Sequence, residues 1–204
     1  TLFVSGVDPS NDKGAAGRVV IDLTDVDGMN SVERSRGRIT IGTGMNLGKL
    51  ARDVSGENGL LQLTSSIIAN PLVRNRVTFI EALDPESPYF DITTPLVLLD
   101  AKVRMQGPSA KRTLSIRDFL ETATAGLKKG ELPVAVEFAA LPADQRVGFF
   151  RVARKGGKGT VSAAAKMRIA RSICTAPEIV VSSLTLIPLR AKAAEKEIAD
   201  KPAS

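Results

Sequence analysis

Between Arg38 and Ala51 the chain changes its hydrophobic period within a few residues. Arg38-Ile39-Thr40-Ile41-Gly42 alternates polar and apolar positions as a half-buried strand does, and Gly42-Thr43-Gly44 ends that pattern. From Asn46 onward, Leu47, Leu50 and Ala51 fall at the three- and four-residue spacing of a helix. Asn46 is a capping residue type, because its side-chain oxygen can accept from the orphan N–H groups of a first helical turn. A strand that runs through glycines straight into a capped helix places this part of the chain in a mixed α/β class.

A chain of 204 residues with 43% hydrophobic and 25% charged content is long enough for one substantial domain or two small ones, and it reads as globular. No run approaches the 18 or more apolar residues of a membrane span, so no span is expected. Thr1 to Gly6 reads as a strand entering a turn rather than a secretory leader, and the expected location is the cytoplasm. There is no histidine and a single cysteine, Cys174. That composition excludes a disulfide framework, a Cys-ligated iron–sulfur or zinc site, and Ser–His or Cys–His nucleophiles within this chain. Any redox chemistry must then lie in a bound cofactor. The net charge of +6 fits a basic surface or a docking face for an acidic partner. No nucleic-acid partner is expected: the basic residues are dispersed apart from Arg151 to Lys158, and one Tyr with no Trp offers little for base stacking.

Along the chain, Leu2 to Val4 and Arg18 to Leu23 are short β-rich runs. A helix is expected over Leu60 to Ile68, ending at Asn70-Pro71. The apolar run Leu96 to Met105 reads as a buried strand, followed by a short strand at Thr113 to Ile116 and a helix capped by Ser115. Gly130 to Pro133 is a turn and Val134 to Phe138 a strand. Strands over 147–152, 161–169 and 179–187 and a final helix over 189–199 complete the reading. A boundary is expected near residue 143, giving a mixed α/β domain over 1–142 and a smaller α+β subdomain over 143–204.

Taken in order, several of these pieces resemble the flavin-binding medium subunit of the molybdenum hydroxylases, the family of carbon-monoxide and xanthine dehydrogenases. Val19 to Leu23 resembles the family's strand ending in Asp-Leu. Ile39 to Ala51 resembles its strand–Gly–helix unit, and Ser66 to Arg76 its helix and Arg-Asn-Arg turn. Leu98 to Val103 and Pro188 to Glu195 are similar to its later signatures. The resemblance covers almost the whole chain and implies a vanillyl-alcohol-oxidase-type FAD-binding fold of α+β class with a small C-terminal sheet-plus-helix subdomain. By the same comparison the chain is expected to be short at both ends.

The resemblance also implies a FAD site. Ser5, Gly6, Val7 and Asp8 match the first phosphate loop, where the family reads Gly-Gly-Thr-Asp. Thr78 and Phe79 belong to the second loop, Ser87 and Asp91 to the Ser-Pro-x-x-Asp that follows it, and Arg154 to a basic third region that also holds Arg151. Glycines serve phosphate loops because successive backbone N–H groups must turn sharply and approach the anion closely. In the second loop both phosphate-facing glycines are replaced, by Ile80 and Glu81. Two functions follow from the resemblance. One is an electron-transfer subunit that holds FAD and passes electrons from iron–sulfur clusters on a small subunit to an acceptor, while a large subunit carries molybdopterin. The other is a structural or docking subunit of such a complex that keeps the fold without the flavin.

Overall fold

The computed structural model describes residues 2–3, 21–23, 25–54, 59–128, 130–153, 159–182 and 187–203. A parallel pair, β1 (Leu2–Phe3) and β2 (Ile21–Asp22), leads into the hairpin of β3 (Val32–Ser35) and β4 (Arg38–Gly42). Four helices follow: α1 (Leu47–Asp53), α2 (Gly59–Ile67), α3 (Pro71–Arg74) and α4 (Phe79–Ala82). A 3-10 turn at Phe90–Ile92 enters α5 (Thr93–Leu98). Then come β5 (Lys102–Gln106), β6 (Lys111–Ser115), α6 (Ile116–Ala125) and β7 (Leu132–Ala139). The chain closes with β8 (Gln145–Ala153), β9 (Gly159–Ala170), β10 (Ile173–Ser182), β11 (Leu189–Arg190) and α7 (Lys192–Ile198).

Two antiparallel sheets carry the structure. The first has five strands in the order β3-β4-β7-β5-β6, and the second has four in the order β11-β10-β9-β8. Alternation decides which face of the first sheet is buried. Ile39 and Ile41 of β4, Val103 and Met105 of β5, and Val136 and Phe138 of β7 enter the core, together with Leu47, Leu50, Leu60, Leu61, Phe119 and Leu120 from the helices. Phe149, Ala164 and Val180 of the second sheet belong to the same buried cluster. The six residues of α5 are all buried, and this helix packs against β9 and β10 of the second sheet and against α6.

That helix corrects one expectation. Leu96 to Met105 is not one strand: it is the end of α5, a reversal at Leu99-Asp100, and then β5. A helix buried on every side has no amphipathic period and reads as an unbroken apolar run, as a buried strand does. Asp100 makes the reversal with φ 47°, and the Leu99 and Ala101 amides donate to the carbonyls of Pro95 and Leu96. The final helix is also shorter than expected. Leu189–Arg190 pairs with Val180 and Val181 as β11, held by Arg190 on Glu195 at 2.6 Å and on Glu178 at 3.0 Å, and only Lys192–Ile198 is helical. β10 begins earlier than expected, at Ile173, with an irregularity in its pairing between Thr175 and Glu178. β3, α3, α4 and the 3-10 turn at Phe90–Ile92 are not expected from the sequence. β3 buries too little for its period to show, and Asn70-Pro71, which ends α2, also starts α3 with the Asn70 side chain accepting from Val73 N at 3.0 Å.

On the solvent face of the first sheet, Glu137 of β7 lies between two arginines from the neighbouring strands. Arg38 of β4 donates to it at 2.8 Å and Arg104 Nε of β5 at 3.0 Å. Burial opposes the charge on Glu137, but the hydrogen bonds and charges of Arg104 and Arg38 outweigh it and hold the carboxyl below its ordinary value. A carboxyl lowered in the folded state binds its proton more weakly there than in the unfolded chain. Its contribution is therefore present at neutral pH and is lost as pH falls through the lowered value. Urea unfolding from about pH 7 down to about pH 3 is expected to show a shallower loss of stability in Glu137→Gln than in the wild type, with a difference at neutral pH below about 1 kcal/mol. Parallel acid limbs would contradict this role.

Candidate functional site

The strand–Gly–helix unit ends where α4 begins, and the two turns are laced together by backbone hydrogen bonds. Leu47 N donates to Val77 O at 3.0 Å, Phe79 N to Met45 O at 2.7 Å, and Ile80 N to Thr43 O at 2.8 Å. Gly42 is required here by close approach, since a Cβ at that position would lie 2.2 Å from the Gly28 carbonyl oxygen and 2.4 Å from Met29. Thr43 fixes the other side by donating its hydroxyl to Pro133 O at 2.6 Å. Asn46 caps α1 as expected, accepting from Lys49 N at 2.7 Å.

The Arg-Asn-Arg turn acts as a brace for these helices. Arg74 donates to the Ser66 and Ala69 carbonyls at the end of α2, at 2.7 and 2.8 Å. Asn75 sits so close to Gly48 of α1 that a Cβ there would meet its side-chain oxygen at 2.3 Å.

At the start of α4, Thr78 and Glu81 form a reciprocal capping box. The Glu81 carboxylate accepts from Thr78 N at 2.6 Å and from the Thr78 hydroxyl at 2.7 Å, while Glu81 N reaches the same hydroxyl at 3.5 Å. Burial pushes the Glu81 carboxyl above its ordinary value, against the two hydrogen bonds from Thr78 that favour its charged form. The adjacent Ile80 packs against Leu23 and Met29. Phe79 is wholly buried in the main core.

The turn after α4 has its own internal bonding. Ser87 Oγ accepts from Tyr89 N at 3.2 Å, and Ser87 N donates to Asp84 O at 2.9 Å. Asp91 is buried in an ion pair with Arg151 of β8, Nε to Oδ2 at 2.6 Å, which ties the turn to the second sheet. One turn further, Thr94 of α5 joins a buried hydroxyl chain, 3.0 Å from Ser162 of β9, which is 2.8 Å from Ser182 of β10.

The family model for the FAD binding domain in molybdopterin dehydrogenase matches residues 7–140. The chain belongs to this family. Among curated relatives, the alpha subunit of the 6-hydroxypseudooxynicotine dehydrogenase complex of Paenarthrobacter nicotinovorans is 26% identical over 152 residues, covering 73% of this chain and 51% of its own length. Among solved structures, the carbon monoxide dehydrogenase of Hydrogenophaga pseudoflava that lacks the Mo-pyranopterin moiety superposes with a TM-score of 0.78 at 25% identity, over 91% of this chain and 66% of its own. Quinoline 2-oxidoreductase of Pseudomonas putida 86 superposes with a TM-score of 0.81 at 23% identity, with the same coverages. The fold expected from the sequence is therefore the fold found. The chain spans about half the length of the curated relative and about two thirds of the solved ones.

In an FAD-binding domain of this kind a phosphate loop needs backbone N–H groups free to converge on an anion. The second loop here does not fit that need. The amides of Thr78, Phe79, Ile80 and Glu81 go to the Glu81 carboxylate, Met45 O, Thr43 O and the Thr78 hydroxyl, respectively. Ile80 and Glu81 fill the positions where the notable feature of the resemblance is a pair of glycines. Of the other residues expected to line the flavin, Ser87 serves its turn and Asp91 is paired with Arg151. Ser5, Gly6, Val7, Asp8 and Arg154 lie outside the described residues. Arg151, noted in the sequence only as part of a basic region, proves to be the partner of Asp91. The Thr-x-x-Glu spacing of Thr78 and Glu81 was the readable signal for the capping box.

The buried pair makes a clear prediction. Asp91→Ala leaves the Arg151 charge unpartnered and is expected to lower stability by about 3 kcal/mol or more. The double variant with Arg151→Met should lose less than the sum of the two single variants in urea unfolding. Additive losses would show that the two residues are not coupled.

Proposed function

We propose that this chain serves as the flavin-domain subunit of a molybdenum hydroxylase-type complex, docked with a molybdopterin-bearing large subunit and an iron–sulfur small subunit. We further propose that it contributes to that assembly as a structural partner that holds no FAD, its second loop being closed to the diphosphate. The assembly half of this reading is supported by the family match over residues 7–140 and by the curated relative's place in a dehydrogenase complex. The second half is carried by one observation, the engagement of all four amides from Thr78 to Glu81 within the chain. The net charge of +6 is consistent with docking on an acidic surface.

A second reading is favoured by the same family match: an electron-transfer subunit carrying FAD between the iron–sulfur clusters and an acceptor. Absorption spectroscopy separates the two, because a bound flavin brings its own chromophore. Protein purified with its co-expressed neighbours is expected to retain large and small redox subunits. The isolated chain is expected to show no flavin bands at roughly 370 and 450 nm, before or after incubation with FAD. Flavin bands in the isolated chain would contradict the structural reading and favour the electron-transfer one. Failure to retain either redox subunit would contradict the assembly.

A further inference from the structure

We infer that Glu81 is a built-in anion that holds the second phosphate loop closed, so that its carboxylate and a diphosphate exclude each other there. This rests on the reading that the second loop does not hold FAD, and it names the residue responsible. Three observations converge on it. The carboxylate accepts from both the amide and the hydroxyl of Thr78, at 2.6 and 2.7 Å, as a phosphate oxygen would. The amides of Phe79 and Ile80, which an incoming anion would also need, are turned toward Met45 O and Thr43 O of the neighbouring loop. The Ile80 side chain, packed on Leu23 and Met29, anchors the segment in that arrangement. A second anion at this turn would face the Glu81 charge at contact distance, in a half-buried setting where repulsion exceeds its value in water. The loop therefore meets its hydrogen-bonding needs without a cofactor, and a diphosphate gains access only when Glu81 is displaced or neutralised.

The test compares the wild-type chain with two variants, using inorganic pyrophosphate and FAD as probes in calorimetric titration. Glu81→Gln keeps the length of the side chain and an oxygen that can accept from Thr78, but it removes the charge. Ile80→Gly/Glu81→Gly removes both obstructions. Circular dichroism melts confirm that each variant is folded; if the double variant does not fold, Glu81→Gln decides alone. Roughly tenfold tighter pyrophosphate binding is expected for Glu81→Gln than for the wild type, with a further gain in the double variant. Equal affinities in the wild type and Glu81→Gln, whether both measurable or both absent, would overturn the inference. The outcome is separable from the functional reading. A wild type that binds FAD, and binds it more tightly as Glu81→Gln, contradicts the flavin-less reading while leaving the role of Glu81 in place.

Discussion

The lacing of the Thr43–Leu47 turn to the Val77–Ile80 turn is the interaction on which the rest of this structure depends. Three backbone hydrogen bonds join the two segments. Each segment also launches a helix, so the bonds fix the positions of α1 and α4 together. Beside these bonds, Gly42 admits the Gly28–Met29 backbone and Gly48 of α1 admits the Asn75 side chain. A side chain at Gly42 would meet the Gly28–Met29 backbone and force that segment away. The capping box then completes the second turn from within, leaving a helix start with its donors engaged and its apolar neighbours packed.

From that junction the chain runs into the part that packs on the second sheet. Asp91 reaches Arg151 on β8, and Thr94 reaches Ser162 and, through it, Ser182. Thr94 lies in α5, whose six residues, Thr93 among them, are all buried. Burial of α5 supplies non-directional attraction to the second sheet, and the ion pair and hydroxyl chain supply direction. The turn after α4 is thus tied to the second sheet through Asp91, while Ser87 bonds within the turn.

Much of this was legible in the sequence because the signals were local. Asn46 and Ser115 announce their helices, and the alternation of Arg38 to Gly42 and Val134 to Phe138 announces strands that bury one face. Colinear motifs gave the family and its fold. What was not legible depended on partners distant in sequence. The end of α5 reads as a strand because all six residues of the helix are buried and no polar face marks its period. β11 is a strand because Val180 and Val181 pair with it, although Leu189 to Ala199 has the composition of a helix. Asp91 and Arg151 are 60 residues apart and no spacing rule connects them. Glu81 lies between these cases. Its sequence position showed that it replaces a phosphate-loop glycine, and only the geometry shows that its carboxylate takes up the donors.

We propose that the family fold is retained while its second phosphate loop is closed by the chain's own groups. A crystal structure of the wild-type chain grown with excess FAD tests this most directly. The expected result places the Glu81 carboxylate on the Thr78 amide and hydroxyl, with Phe79 N and Ile80 N still donating to Met45 O and Thr43 O. A diphosphate seated on the Thr78 to Glu81 amides, with Glu81 turned away, would contradict it.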